Sequence, residues 1–136
     1  MRRLMRAVVA AVVASALSLL ASGTQAQTYP NKPIRLLTPF SPGGGADILA
    51  RLISPPLTET LGQPIIVDNR PGGSGTVGTT VVARSTPDGY TLILVSGSYG
   101  ANAALYDLPF DTVNGIAPII LIGTTPLVMW VHPTLR

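Results

Sequence analysis

The sequence predicts an α/β fold with a largely parallel sheet, and two observations carry the prediction. A short run of β-branched residues and leucine, then a glycine- and proline-rich turn, then a segment with helical spacing occurs twice in succession. A third apolar run of strand length follows these two units. Strands that alternate with helices at this spacing pair in parallel, because each helix carries the chain back to the same end of the sheet.

The first unit is Ile34-Arg35-Leu36-Leu37-Thr38, then the turn Pro39-Phe40-Ser41-Pro42-Gly43-Gly44-Gly45, then a helix from Ala46 with Ile48, Leu49, Leu52 and Ile53 on one apolar face. Pro55-Pro56 falls inside that helical pattern, where two missing N–H donors and two ring clashes predict a broken or kinked turn before Leu57 to Leu61 resumes. The second unit is Ile65-Ile66-Val67-Asp68-Asn69, the turn Arg70-Pro71-Gly72-Gly73-Ser74-Gly75, and a helix from Thr76 to Arg84 that presents Val77, Val81 and Val82. Thr86-Pro87-Asp88-Gly89 is a turn announcing a third strand, Tyr90 to Val95.

Beyond it, Gly97-Ser98-Tyr99-Gly100 reads as a turn, Ala101 to Tyr106 as a short helix and Leu108-Pro109-Phe110-Asp111 as a loop. Ala117 to Gly123 and Leu127 to Val131, separated by Thr124-Thr125-Pro126, read as two further strands. No helical pattern follows to cover the last of them, and a half-covered sheet exposes apolar surface. The expectation is a chain cut short.

The amino terminus has its own logic. Arg2, Arg3 and Arg6 precede an apolar run from Ala7 to Ala21, and Ser22-Gly23-Thr24-Gln25-Ala26 supplies small residues behind it. This is the pattern of a secretory signal peptide cleaved after Ala26, and the run is too short and too interrupted by Ser15 and Ser18 to span a bilayer. Met5-Arg6 denies the Arg2-Arg3 pair the apolar residues of a twin-arginine signal. The expected division is residues 1–26 as signal peptide and 27–136 as a single domain of ordinary size.

The formal net charge is +3, and the three signal-peptide arginines account for all of it. In the remainder, six cations (Lys32, Arg35, Arg51, Arg70, Arg84, Arg136) meet six anions (Asp47, Glu59, Asp68, Asp88, Asp107, Asp111), so no basic face for nucleic acid is expected. The absence of cysteine excludes disulfides, thiolate zinc sites and a lipid-anchored cysteine. His132 is the single histidine, at the end of an apolar run, and reads as a strand-end residue. Neither a metal site nor a cofactor is expected.

In an open α/β sheet, ligands sit beyond the carboxyl ends of the strands, where helix N-termini present unbonded N–H groups. Gly43-Gly44-Gly45 and Gly72-Gly73-Ser74-Gly75 lie in those loops with little side chain to hold an anion off the backbone. The same glycines also suit a bare strand-to-helix turn. Asp47 falls in the first turn of the helix, which a dipole-favoured capping acid explains, or where its carboxylate accepts from an amine or hydroxyl on a ligand.

Gly73-Ser74-Gly75-Thr76-Val77-Gly78 fits G-x-G-x-x-G, but Asn69-Arg70-Pro71 lengthens the turn and no acid ends the next strand to hold a ribose. There is no Gly-Lys-Ser/Thr, and Gly97-Ser98-Tyr99-Gly100 is one residue short of G-x-S-x-G. No catalytic set assembles, so the sequence points to binding. A nucleotide-binding enzyme domain and a non-functional remnant are the competing readings.

The succession Pro33-Ile34-Arg35, Pro39-Phe40-Ser41-Pro42-Gly43-Gly44-Gly45-Ala46-Asp47 with Ala50-Arg51, Leu61-Gly62-Gln63-Pro64, Asp68-Asn69-Arg70-Pro71-Gly72-Gly73-Ser74-Gly75 and Pro87-Asp88-Gly89-Tyr90-Thr91-Leu92 resembles the tripartite tricarboxylate transporter substrate-binding proteins, the Bug receptors, over almost all of Tyr29 to Pro133. The resemblance implies the first lobe of a periplasmic solute-binding fold, with a mixed, mostly parallel sheet flanked by helices. Such a fold closes over a small organic carboxylate and delivers it to membrane transporter subunits. It implies ligand contacts from Phe40, Ser41, Pro42, Gly43, Gly44, Gly45 and Ala46, from Ser74, Gly75 and Thr76, and from Ser96 and Ser98, and it favours the ligand-contact role for Asp47. Pro55 and Asn114-Gly115 depart from the family pattern, and the family's opposite lobe has no counterpart before Arg136.

Overall fold

A computed structural model describes residues 1, 3, 5, 28–124, 126 and 128–134. The expected signal peptide lies almost wholly outside the described residues. Three strands, β1 (Ile34–Thr38), β2 (Ile65–Asn69) and β3 (Thr91–Ile93), form one sheet in the order β2-β1-β3. Both ladders are parallel, pairing Ile34 with Ile65 and Arg35 with Thr91, so the described sheet is parallel with helices on its flanks. The helices are α1 (Gly45–Leu61), α2 (Thr76–Ala83) and α3 (Ser98–Leu105), with a 3-10 turn at Gly73–Gly75 leading into α2.

Alternation along β1 sends Leu36 and Leu37 to opposite faces, and both are buried. Leu36 packs with Ala50 and Leu94, joined by Ala46, Ile53, Ile65, Val67 and Leu92, so α1 covers that face. On the other face Leu37 meets α2 at Gly78. A side-chain carbon on Gly78 would stand 2.9 Å from the Arg70 carbonyl oxygen, 2.9 Å from Pro39 Cβ and 3.0 Å from Leu37 Cδ2. The last glycine of the G-x-G-x-x-G pattern thus serves close helix-to-sheet packing.

Several expectations are corrected. The inward side of α1 is Asp47, Ala50 and Ser54 with Ala46 and Ile53, whereas Ile48 and Leu52 are 59% and 69% exposed. Small Ala50 lets the helix approach the sheet closely, and that approach, not the hydrophobicity of the larger residues, sets its rotation. Next, α1 runs uninterrupted through Pro55 and Pro56. Both prolines are exposed, as are Arg51 and Leu52, so the carbonyls that lose their helical donors belong to residues on the solvent side of the helix. The helix ends where Gly62 adopts a left-handed backbone and donates its N–H to the Thr58 carbonyl at 2.9 Å.

Finally, 117–123 and the described residues of 127–131 form no strand and are exposed, with Ile119, Ile120 and Leu121 each more than three-quarters accessible. A strand exists only on a partner edge, and neither β2 nor β3 receives one from the described residues. The third strand is also shorter than expected because only Arg35 to Leu37 pair with it, and α3 begins at Ser98, inside the expected turn.

Candidate ligand-binding site

Parallel pairing brings the loops after all three strands to one end of the sheet. A small crevice there is lined by Phe40 from the first loop, Ser74 and Gly75 from the second, and Ser98, Tyr99 and Asn102 at the start of α3. The first two loops touch: a side-chain carbon on Gly75 would lie 3.5 Å from Pro39 Cβ and 3.7 Å from Phe40 Cζ. The crevice therefore collects Phe40, Ser74, Gly75 and Ser98 among the expected ligand residues. Ser41 to Ala46, Thr76 and Ser96 are not in its lining. Ser41, Pro42 and Gly43 form an exposed turn, and Ser96 is exposed with its hydroxyl 2.9 Å from that of Ser98.

Not every glycine amide points outward. Gly43 N–H donates to Asp47 Oδ2 at 2.9 Å and Gly44 N–H to the Ser41 carbonyl at 3.2 Å. The first helical bond of α1 is Ile48 N–H to the Gly44 carbonyl, so the amides of Gly45, Ala46 and Asp47 are left for water or an anion. In the second loop Gly75 N–H bonds the Gly72 carbonyl and Thr76 N–H that of Gly73, and the amides of Gly73 and Ser74 precede these bonds. Ser74 has φ 54 and ψ 28, a left-handed conformation costly for a residue with a side chain. Asn102 Nδ2 holds it there by donating to the Ser74 carbonyl at 2.8 Å.

Asp47 is 3% exposed. Its carboxylate accepts from Gly43 N–H, from Arg51 Nε at 3.0 and 3.1 Å, and from Asn69 Nδ2 at 2.9 Å. Asn69, at the end of β2, shares its two Nδ2 hydrogens among Asp47, Thr38 Oγ1 at 2.6 Å and the Phe40 carbonyl at 3.2 Å, and its Oδ1 accepts from Arg51 at 3.3 Å. One network thus joins the ends of β1 and β2, the first loop and α1. Three donor groups from this network thus serve the Asp47 carboxylate.

The Arg51 hydrogen bond first, then those from Gly43 and Asn69, outweigh burial and hold the Asp47 carboxyl down from 3.8 to about 2. Because the folded value is depressed, the stabilisation is complete above pH 3.8 and is lost as pH falls toward about 2. Thermal unfolding of Asp47→Asn followed across that window should fall less steeply with acid than that of the parent chain. Equal slopes would remove Asp47 from the acid response.

Sequence reasoning assigned no role to Thr38, Asn69, Tyr99 or Asn102. Asn69 lay within a quoted motif, and Asn102 is the one amide side chain in the small-residue helix Ser98–Leu105. Tyr99 spans from α3 to the Thr112 carbonyl at 2.8 Å and carries the 98–102 edge of the crevice with it.

The sequence profile of the family described as tripartite tricarboxylate transporter family receptor matches residues 49–135. The chain belongs to this family. Among its curated relatives, Protein BugT of Bordetella pertussis (strain Tohama I) is 38% identical over 120 residues, which is 86% of this chain and 37% of BugT. Among solved structures, the periplasmic binding protein BugD is 40% identical with a TM-score of 0.56, over 57% of this chain and 26% of BugD. MatC from Rhodopseudomonas palustris with bound malate is 41% identical with a TM-score of 0.58, over 62% of this chain and 29% of MatC. The chain spans well under half the length of these receptors. The folds of the periplasmic binding protein BugD and of malate-bound MatC match the parallel sheet and flanking helices described above.

Proposed function

We propose that this chain is the first lobe of a periplasmic receptor that captures a small organic carboxylate for a tripartite tricarboxylate-type transporter. The observation that carries the reading is the meeting of three loops at the carboxyl ends of parallel strands, with unbonded amides at Gly45, Ala46 and Asp47 and ahead of the turn at Gly73 and Ser74. The ligand-facing groups are assigned to the loop from Phe40 to Ala46, to Ser74, Gly75 and Thr76, and to the Ser96 and Ser98 hydroxyls. Malate in the related MatC supports the carboxylate class. Residues 1–26 are the export signal, and residues 27–136 the first lobe.

A helix N-terminus contributes about 0.3–1 kcal/mol to anion binding at an exposed site, and up to ~2 kcal/mol when partly buried. Two such termini sum to about 4 kcal/mol at best, which corresponds to a Kd near the millimolar range for one open wall of a cleft. The test is to express the chain with its own leader, read the N-terminus of the periplasmic product, and titrate it calorimetrically. The expected result is a product that starts at Gln27 and binds malate in the millimolar range, with no response to NAD or ATP. A nucleotide response without a carboxylate response would overturn the reading in favour of a nucleotide-binding domain.

A further inference from the structure

Near the start of α1 stand the charged side chains of Asp47 and Arg51, and each is bonded to the other. Arg51 also donates to Asn69 and so joins the network described above, while its side chain stays more than half exposed. Attraction of an anion to this loop also comes from the first-turn amides of α1, and amides attract only where the backbone aims them. Whatever fixes the path from Ser41 to Gly45 governs the site.

Three bonds fix that path: Asn69 Nδ2 donates to the Phe40 carbonyl at its start, Gly43 N–H donates to Asp47 Oδ2 in its middle, and Gly44 N–H donates to the Ser41 carbonyl within the turn. Gly43 has φ +81, a left-handed turn that sets the direction of the residues after it. The arrangement is related to a capping box, in which an acceptor at the third helical position reaches back to the cap's N–H; here the acid reaches one residue further, to Gly43. Arg51, one turn along the same helix, and Asn69, from the next strand, hold the carboxylate in the position this reach requires.

We propose that Asp47 is a positioning residue: its buried carboxylate clamps the Gly43 amide and so fixes the loop that leads into the first turn of α1, and it does not itself touch the ligand. The inference rests on the carboxylate-receptor reading for its purpose but on the Asp47–Gly43 geometry for its substance. Its consequence for recognition is specific. A ligand hydroxyl or amine gains nothing from Asp47, so selectivity among carboxylates of one size lies elsewhere.

Amide hydrogen exchange on the full chain tests the clamp without any ligand. Asp47→Ala should speed exchange at Gly43 by tenfold or more while Leu36 and Leu37 in the central strand stay protected, and Asp47→Asn, which keeps an acceptor oxygen, should restore part of the protection. Unchanged exchange at Gly43, or equal acceleration at Gly43 and in β1, overturns the clamp. Should Asp47→Ala fail to fold, the comparison is made between the parent chain and Asp47→Asn, where a several-fold acceleration confined to the loop is expected and none overturns it.

The second arm compares malate with succinate, which differ by one hydroxyl. Positioning predicts equal fold-losses for the two acids in Asp47→Asn; a loss confined to malate makes Asp47 a contact residue and overturns the proposal. If the parent chain binds neither acid, the carboxylate reading fails while the exchange result alone decides the clamp.

Discussion

Leu37→Ala lowers the melting temperature of this chain by about 10 °C or more. Leu37 is fully buried in the central strand, and truncating a leucine at such a site costs roughly 2–5 kcal/mol in lost transfer energy and cavity. In a domain of this size each kcal/mol moves the midpoint by about 4–8 °C. Scanning calorimetry of the parent and variant measures the difference. A fall of less than about 4 °C would show that the Leu37 side of the sheet is not a packed core.

The second large effect is at Gly78, and its sign is the informative part. In an exposed helix interior, Gly→Ala stabilises by about 1 kcal/mol. Here the added methyl meets the Arg70 carbonyl oxygen, Pro39 Cβ and Leu37 Cδ2 at 2.9 to 3.0 Å. Separating α2 from the sheet to make room costs about 1–3 kcal/mol as overpacking, so Gly78→Ala should destabilise. One of the three obstacles is a Leu37 methyl, so in the Leu37→Ala background the same substitution should cost less than it does alone. Urea unfolding of the two single variants and the double variant measures the coupling. Additive losses would show that the helix does not press on Leu37.

These contacts also show which parts of the molecule can be read from residue order. The strand and turn pattern of each unit is local, and β1, β2, α2 and the glycine turns stand within a residue or two of where that pattern puts them. The rotation of α1 was not legible, because Ala50 and Asp47 are buried by what packs on them and Ile48 and Leu52 are left out for the same reason. Nor was the fate of 117–123 legible: composition gives strand propensity, but pairing belongs to an edge elsewhere in the chain.

The site divides in the same way. The glycine loops were visible as runs of residues without side chains. That Gly43 and Gly44 use their amides internally, and that Asp47 turns inward to Gly43, Arg51 and Asn69, depends on Asn69 arriving from another strand. Pro55-Pro56 shows the limit of a local rule: the lost donors are real, but on the wet side of α1 the helix continues past them.

The strand order β2-β1-β3 has a kinetic meaning. The strand synthesised first is the one that must end in the middle, so Ile34 waits for Ile65 and Arg35 for Thr91 before its two edges are occupied. Each wait is a loop to be closed against chain entropy before any ladder bond repays it, which makes for high contact order and slow folding. A growing polypeptide that ends before Thr91 has two of the three described strands and one of the two ladders, so the native arrangement is completed late around a strand that has been in hand from the start.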